Sequence, residues 1–369
     1  MRGKMQWDLF LVILFVQPNM MVCQLYEYHY IRELKTWTEA QQYCRENHTD
    51  LATVSNMADM KRLLNNSAGN MNEAWIGLYD QTDGDRTWYW SLPGVEFNET
   101  NWKPGEPNDI RTENCGIISN PLKWGDVSCN TRLHFICYNE SKTPEKFYLI
   151  KQSKTWLEAQ SYCREKHTDL ISGIKELQGE QLKNVLSVDI WVFIGLFRDT
   201  WKWSDGSSFS FRHWNLQFND EKYNSGQCAM TVFDDGGRWK NGDCKEKKPF
   251  ICYDDNLVLV QEKMNWANAL SYCREHYHDL VTIKTLEQQI LVQEKAKKAS
   301  TPFVWLALRY NCTKKFWIWV CPEGVTERTM NSDGEVDDCN ISGAMDTGGQ
   351  HKWFQINGGE EFNFICSKI

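Results

Sequence analysis

The most constraining feature of this chain is a segment that occurs three times. The first copy reads Trp37-Thr-Glu-Ala40-Gln-Gln-Tyr43-Cys44, and its Trp, Ala, Tyr and Cys return at 156–163 and 266–273. A spacing of about 110 to 120 residues is too long for a solenoid repeat and matches the size of an independent domain. Each copy also ends on the tripeptide Phe-Ile-Cys. The sequence therefore predicts three related units in series, over residues 24–138, 146–253 and 256–367.

The amino terminus and the cysteines indicate a secreted protein. Arg2 and Lys4 precede a short apolar run, so residues 1–23 have the layout of a secretory signal. That run is about eight residues long, well short of the roughly 20 needed to cross a bilayer. The 14 cysteines suit an oxidising compartment. With the last cysteine so close to the chain's end, we expect an extracellular chain without a membrane span.

Six Asn-x-Ser/Thr triplets agree with this location, because such triplets are acceptors for glycans in secreted proteins. We expect a glycoprotein, and the candidate sites are Asn47, Asn65, Asn98, Asn139, Asn311 and Asn340.

Composition and motifs also exclude some classes of function. The 369 residues carry a formal charge of −8, which argues against nucleic acid as a partner, because phosphate binding needs clustered Lys and Arg. The sequence has no HExxH, P-loop, GxSxG or Cys-x-x-Cys motif, and its eight histidines are scattered. We therefore do not expect an enzyme, and a binding protein is the remaining interpretation.

Residue periodicity predicts the same elements in every unit. Each repeated Trp-Ala-Tyr-Cys segment has the spacing of an amphipathic helix, and second helices are predicted over 56–64, 175–185 and 286–298. Apolar runs such as Trp75-Ile-Gly77-Leu78 suit a buried strand, and the pair Trp88 and Trp90 lies on one face of the next strand. Two helices beside an antiparallel sheet make each unit an α+β domain.

A long loop rich in Gly, Asn, Asp and Pro follows the paired tryptophans, as over residues 93–114 of the first unit. Loops of this length without periodicity are usually functional. The recurring cysteines predict a disulfide between the ends of each unit and, in the first two units, another beside the long loop. The predicted pairs are Cys44–Cys137, Cys163–Cys252, Cys273–Cys366, Cys115–Cys129 and Cys228–Cys244.

Taken together, these motifs resemble the C-type lectin-like domain. The helix segment, the Trp-Ile-Gly-Leu strand, the Trp-x-Trp pair, the inner cysteine pair and the Phe-Ile-Cys ending carry the resemblance, over nearly all of residues 26–367. The tandem order with short linkers is similar to the mannose-receptor type of arrangement. The resemblance implies a double-looped fold whose long loop binds calcium and sugar or, in many members, binds protein without a metal.

In sugar-binding members of that family, a Glu-Pro-Asn triplet, a Glu before the inner cysteine and a Trp-Asn-Asp triplet supply the calcium ligands. The first unit matches four of these five ligand positions, which the resemblance assigns to both calcium and sugar: Glu106, Asn108, Glu113 and Asp126. Carboxylate and amide oxygens suit Ca²⁺, which takes six to eight oxygen ligands. Glu before Asn resembles the members that bind mannose, N-acetylglucosamine and fucose. Pro107 corresponds to the family's cis-proline.

Gly125 departs from the family's pattern, because an asparagine there would give calcium one oxygen and the sugar one N–H. Losing one neutral hydrogen bond costs roughly 0.5 to 1.5 kcal/mol, so we expect affinity to fall by up to about tenfold without vanishing. The second and third units lack the ligand set. The second has Gln217-Phe218-Asn219 and Lys240, and the third offers only Asp337. Calcium is therefore expected in the first unit alone.

The third unit contains five cysteines, so one of them has no partner within it. A Cys312–Cys321 bridge leaves Cys339 over, whereas a Cys321–Cys339 bridge leaves Cys312, and the sequence admits both. We favour Cys312–Cys321, because these two lie close together in sequence. If the signal is removed together with Cys23, the remaining cysteines are odd in number, which indicates a free thiol or an interchain disulfide.

Two hypotheses of function follow. The first is a secreted, calcium-dependent lectin that recognises terminal mannose-like sugars through the first unit, as in innate recognition of microbial glycans. The second is a calcium-independent array that binds protein through its long loops. The four retained ligand positions favour the lectin, and Gly125 with the two degenerate units favours the array.

Overall fold

A computed structural model describes residues 26–66, 73–81, 86–109, 111–141, 146–186, 190–219, 227–313, 315–321, 324–328, 339–348 and 352–368. Within these ranges the chain forms α-helices and three β-sheets of seven, seven and eight strands. The predicted α+β class is confirmed. The predicted signal, residues 1–23, lies outside the described residues.

Each unit begins its helical part where the repeated segment predicts it. The helices are α1 Trp37–Asn47, α2 Met57–Asn66, α3 Trp156–Lys166, α4 Ile174–Leu177, α5 Glu180–Val185, α6 Trp266–His276 and α7 Leu286–Ala296. The side chains of Thr36 and Thr155 cap α1 and α3 and accept from the third helical N–H, while Glu39 and Glu158 reach back to complete capping boxes. These local signals explain why the helix starts were predictable.

The strands of the first two units form two sheets. They are β1 Tyr26–Lys35, β2 Asp50–Leu51, β3 Glu73–Asp80, β4 Thr87–Trp90, β5 Cys115–Ser119, β6 Lys123–Val127, β7 Leu133–Tyr138, β8 Phe147–Lys154, β9 Asp169–Leu170, β10 Val192–Asp199, β11 Trp201–Trp203, β12 Gln227–Val232, β13 Trp239–Asp243 and β14 Lys248–Asp255. The third unit forms the remaining sheet from β15 Leu257–Met264, β16 Asp279–Leu280, β17 Phe303–Asn311, β18 Phe316–Cys321, β19 Gly324–Arg328, β20 Ile341–Asp346, β21 Trp353–Asn357 and β22 Phe362–Ser367.

The first two units exchange their halves. One sheet has the order β1-β14-β3-β12-β13, with β11 on β3 and β2 on β14, so the beginning of the first unit pairs with the end of the second. The other sheet has the order β6-β5-β10-β7-β8, with β4 on β10 and β9 on β7, so the end of the first unit pairs with the beginning of the second. Among the described residues, the strands of the third unit pair only with one another. The three predicted units are present, but the expectation that the two ends of each unit meet is wrong for the first two.

The register of the strands shows why this exchange is physically possible. In the third unit Leu308 lies opposite Trp319 within its own β17–β18 hairpin. The equivalent contacts in the first two units are crossed, since Leu78 lies opposite Trp203 and Leu196 lies opposite Trp90. The two units have nearly the same apolar residues at these positions, so a strand meets an equivalent cross-strand neighbour in either unit. Strand pairing alone does not distinguish one partner from the other.

Two disulfide predictions are corrected by this exchange. The structure joins Cys44 to Cys252 and Cys137 to Cys163, instead of the predicted Cys44–Cys137 and Cys163–Cys252. Each helix still meets a closing Phe-Ile-Cys strand, but the strand belongs to the other unit. The remaining predictions, Cys115–Cys129, Cys228–Cys244 and Cys273–Cys366, agree with the structure.

The third unit's extra cysteines also pair differently from the prediction. Cys312, directly after β17, is joined to Cys339, which lies just before β20. The favoured Cys312–Cys321 bridge is therefore wrong, and so is the interpretation of Cys339 as the odd cysteine. Pairing of β17 with both β18 and β20 brings the two residues together, whereas nearness in sequence had suggested Cys321.

Candidate functional site

The first long loop is anchored on the edge of β6. Lys103 donates its backbone N–H to the carbonyl of Trp124 at 2.8 Å, and Trp124 donates to the carbonyl of Asn101 at 3.1 Å. The Glu106 N–H bonds the Lys103 carbonyl at 2.9 Å, which closes a tight turn. Trp124 itself is completely buried and packs edge-on against Trp90 and Trp102. The loop is thus held by backbone bonds over an aromatic core.

This anchoring brings three of the four predicted ligands together. Asn108 donates its backbone N–H to Asp126 Oδ1 at 3.1 Å and its side-chain amide to Glu106 Oε1 at 3.1 Å. The Glu106–Pro107 peptide bond is cis, as the resemblance implied. Glu106, Asn108 and Asp126 therefore form one hydrogen-bonded group, although Asp126 lies 18 residues from Asn108 in sequence.

An arginine from the second unit completes this group. Arg198, on β10, donates to Asp126 Oδ2 at 3.0 Å and to the backbone carbonyl of Glu113 at 2.9 Å. It also donates to Asn114 Oδ1 at 3.2 Å and to the carbonyl of Asp109. The side chains of Arg198 and Asp126 are only 4% and 0% exposed. A buried guanidinium therefore ties the loop before Cys115 to Asp126.

The carboxylates and the guanidinium form one electrostatic cluster. Burial and then Asp126 raise the pKa of Glu106. Burial followed by Asp126 and Asp109 raises the pKa of Glu113, and Arg198 opposes that shift. The three predicted ligand carboxylates carry three negative charges and Arg198 one positive charge, so they sum to a charge of about −2, which a divalent cation would balance. A bound cation would therefore compete with protonation of these carboxylates.

The donor set fits calcium at Glu106, Asn108 and Asp126. Glu106 Oε2 is buried and has no hydrogen-bond partner among the described residues, and an orphaned carboxylate oxygen is costly unless a cation or a ligand satisfies it. Within the described part of the chain, the carboxylate oxygens of Glu106, Glu113 and Asp126 do not all lie within 4.8 Å of one another. Glu113 would thus have to move inwards to join a calcium shell, whose oxygens lie about 2.3 to 2.6 Å from the ion.

Gly125 lies between apolar neighbours. A Cβ at this position would be 3.5 Å from Ile117 Cγ1 and 3.6 Å from the Trp191 ring, which are ordinary contact distances. The backbone therefore accepts a side chain here. The atoms nearest to that Cβ are all carbon, so an asparagine amide at this position would have to find its hydrogen bonds beyond them.

The second unit's long loop is apolar where the first is acidic. Phe218 stacks flat on Trp214, with ring centroids 3.9 Å apart, and Trp214 packs in turn against the buried Trp239. Gln217 is exposed, and Lys240 is half-exposed near Glu73, at 3.9 Å. Gly226, which stands two residues before Cys228 where the first unit has Glu113 before Cys115, lies outside the described residues. This loop offers no described carboxylate at a predicted ligand position.

The third unit likewise has no described carboxylate at a predicted ligand position. Its predicted ligand-like residue, Asp337, lies outside the described residues. Phe354 and Gln355, which follow Trp353 at the equivalent position, are exposed residues of β21. The candidate site therefore remains the loop of the first unit.

Sequence reasoning missed Arg198, the most connected side chain of the site. Its own unit carries no acidic ligand set, and the equivalent residue of the first unit is Asp80. Only the exchange of strands brings Arg198 next to Asp126. No pattern within either unit indicates that contact.

A family model described as Lectin C-type domain matches residues 33–139, 152–254 and 262–368. The chain belongs to the C-type lectin domain family, and it contains three such domains.

Curated relatives include large receptors. The chain is 22% identical over 356 residues to C-type mannose receptor 2 of Homo sapiens, which covers 81% of this chain and 24% of that protein. It is 25% identical over 350 residues to the secretory phospholipase A2 receptor of Bos taurus, covering 75% and 23% respectively. Human lithostathine, a solved structure, is 15% identical with a TM-score of 0.28, covering 63% of this chain and 85% of that one. The chain thus spans about a quarter of the length of these two receptors.

The described helices are all short. None of them has the length and hydrophobicity that a membrane-crossing helix needs.

Proposed function

We propose that this chain is a secreted, calcium-dependent lectin that binds terminal mannose, N-acetylglucosamine or fucose through its first unit. The observation that carries the proposal is the buried, unpartnered Glu106 Oε2 beside Asn108 and Asp126. When bound, calcium would supply open coordination positions for two adjacent sugar hydroxyls. Glu106, Asn108 and Asp126 would hold it, with Glu113 moving inwards.

Several other observations support an extracellular role. The six candidate glycosylation asparagines are all at least partly exposed, and described disulfides occur in all three units. One relative carries mannose in its name. In this proposal the ligands are glycans with terminal mannose-like sugars. The chain's own attached glycans would lie on its surface, outside the binding site.

A second candidate function rests on Arg198. Its buried ion pair with Asp126 occupies one carboxylate oxygen that calcium would otherwise use. The Arg198 guanidinium already supplies a positive charge at this site. Such an arrangement suits a calcium-independent array that binds protein. The other relative is named as a receptor for a protein, a phospholipase. This alternative predicts ligand binding that a chelator does not affect.

Retention of the full chain on immobilised mannose tests the two functions. The lectin proposal expects retention with calcium and elution by a chelator, since the carboxylates cannot hold the sugar hydroxyls alone. No retention at any calcium concentration, by either the natural chain or a Gly125→Asn variant, would contradict it. Chelator-resistant binding to a protein ligand would instead support the array.

We expect Gly125→Asn to strengthen calcium-dependent retention by up to about tenfold, because the new amide restores one hydrogen bond worth roughly 0.5 to 1.5 kcal/mol. Competition with free mannose measures the change. Gly125→Ala is the matched control, because it adds the same Cβ between Ile117 and Trp191 without an amide. If the alanine variant gained as much affinity as the asparagine variant, the missing amide would not be what weakens the site.

A further inference from the structure

Two histidines and one aspartate meet at the junction of the exchanged halves. Asp254 Oδ2 lies 2.8 Å from His29 Nε2 and 3.2 Å from His48 Nδ1. The two imidazoles stack with centroids 4.5 Å apart and an interplanar angle of 21°. The candidate ligand atoms of all three side chains lie within 4.8 Å of one another. Two ring nitrogens and one carboxylate oxygen thus lie close together.

The environment leaves room for a metal ion to enter. The side chains of His29, His48 and Asp254 are 29%, 18% and 37% exposed, so the cluster opens to solvent on one side. His29 Nε2 is nevertheless buried from water and makes no well-aligned hydrogen bond among the described residues, despite its nearness to Asp254. His29 Nε2 is thus within ion-pair distance of Asp254 without the alignment of a hydrogen bond.

The ligand types select the metal. Imidazole nitrogen suits zinc and its first-row neighbours, whereas calcium prefers oxygen. Zinc bonds of about 2.0 to 2.2 Å in a tetrahedron place neighbouring ligand atoms about 3.3 to 3.6 Å apart. Asp254 Oδ2 lies 2.8 and 3.2 Å from the two ring nitrogens, and all three candidate ligand atoms lie within 4.8 Å of one another. We propose that His29, His48 and Asp254 form a three-ligand zinc site, with water as the fourth ligand.

The other units supply natural controls for this proposal. His29 lies opposite Cys252, and its counterpart opposite Cys137 is Tyr148. His48 is the C-cap of α1, and its counterpart after α3 is His167. Asp254 stands two residues after the closing cysteine, where the first unit has Asn139. The equivalent cluster therefore retains only one good zinc ligand, His167, beside Tyr148 and Asn139.

The site depends on the exchange. His29 and His48 come from the beginning of the first unit and Asp254 from the end of the second. If each unit instead closed on its own strand, Asn139 would take the place of Asp254 beside the two histidines. Because only the exchanged arrangement places Asp254 beside the two histidines, zinc would bind that arrangement preferentially and stabilise it by mass action.

Calorimetric titration of the full chain with Zn²⁺ tests the proposal, after iodoacetamide has blocked any free thiol. We expect one tight site whose affinity falls by more than about tenfold in both Asp254→Asn and His29→Tyr, since even outer-shell partners of a metal cost roughly 10 to 100-fold. These substitutions introduce the residues found at the equivalent positions of the sister copy, Asn139 and Tyr148, so they preserve a fold that the chain already forms.

His167→Gln is the matched control, and it should bind Zn²⁺ as tightly as the natural chain. A rise in melting temperature with Zn²⁺ that Asp254→Asn abolishes would support the site independently of calorimetry. Equal Zn²⁺ affinity in the natural chain and in Asp254→Asn, or a loss of binding in His167→Gln, would overturn the proposal.

Discussion

Replacing Glu106 by alanine should reduce calcium-dependent mannose retention of the full chain to background. The substitution removes a carboxylate that would serve both the ion and a sugar hydroxyl. A hydrogen bond to a charged group is worth about 1.5 to 3 kcal/mol, or roughly 10 to 100-fold in affinity, before the loss of a calcium ligand is counted. Folding should be little affected, because the hydrogen bond that Glu106 Oε1 accepts from the Asn108 amide is exposed and Oε2 has no hydrogen bond among the described residues.

The matched control for this experiment is Gln217→Ala, at the equivalent position of the second unit. Gln217 is exposed and belongs to a loop without described ligand carboxylates, so retention should not change. The raised pKa of Glu106 and Glu113 gives a second readout. Without metal these groups take up protons at a higher pH than ordinary glutamates, so acidification should release the sugar. Undiminished retention by Glu106→Ala would place the sugar site elsewhere.

Replacing Arg198 by glutamine should destabilise the exchanged pair of units by about 3 to 5 kcal/mol. Removing one partner of a buried ion pair leaves the other charge uncompensated in a low-dielectric environment. Here the partner is Asp126, whose side chain is 0% exposed. Arg198 also supports the backbone carbonyls of Asp109 and Glu113, which would lose a charged donor. Chemical denaturation, monitored by tryptophan fluorescence, measures the difference in free energy of unfolding.

Arg132→Gln provides the comparison for that measurement. Arg132 pairs with Glu158 on the surface, where the two side chains are 55% and 30% exposed, and such pairs contribute about 0 to 1 kcal/mol. A loss in Arg198→Gln no larger than that in Arg132→Gln would show that Arg198 is not buried against Asp126 in solution.

The parts of the fold that depend on neighbouring residues could be predicted from the sequence. The repeated segment predicted α1, α3 and α6, since the helical spacing of Trp37, Ala40 and Cys44 and the capping residue Thr36 act within one or two turns. The buried run ending in Leu78 was similarly clear as a strand. In the site, the Glu-Pro-Asn turn and Asp126 were recognisable because their spacing relative to Cys115 and Cys129 is characteristic.

The choice of partner strand could not be predicted in the same way. Leu78 and Leu196 are interchangeable as neighbours of Trp90 and Trp203, so both arrangements bury nearly the same surfaces. The same ambiguity hid Arg198, because its contact with Asp126 exists only across units. Cys312 and Cys339 were missed since β17 brings them together through pairing that sequence distance does not report.

The exchange changes how the candidate site should be studied. The first unit supplies the acidic loop, but β10 of the second unit supplies both the neighbouring strand and Arg198. A fragment containing the first unit alone would lack these contacts. Binding experiments therefore need both units in one chain.

Mapping the disulfides by mass spectrometry of a non-reducing digest tests the exchange most directly. The exchanged arrangement predicts peptides that join Cys44 to Cys252 and Cys137 to Cys163. Peptides that join Cys44 to Cys137 and Cys163 to Cys252 would contradict it, because each unit would then close on its own strand.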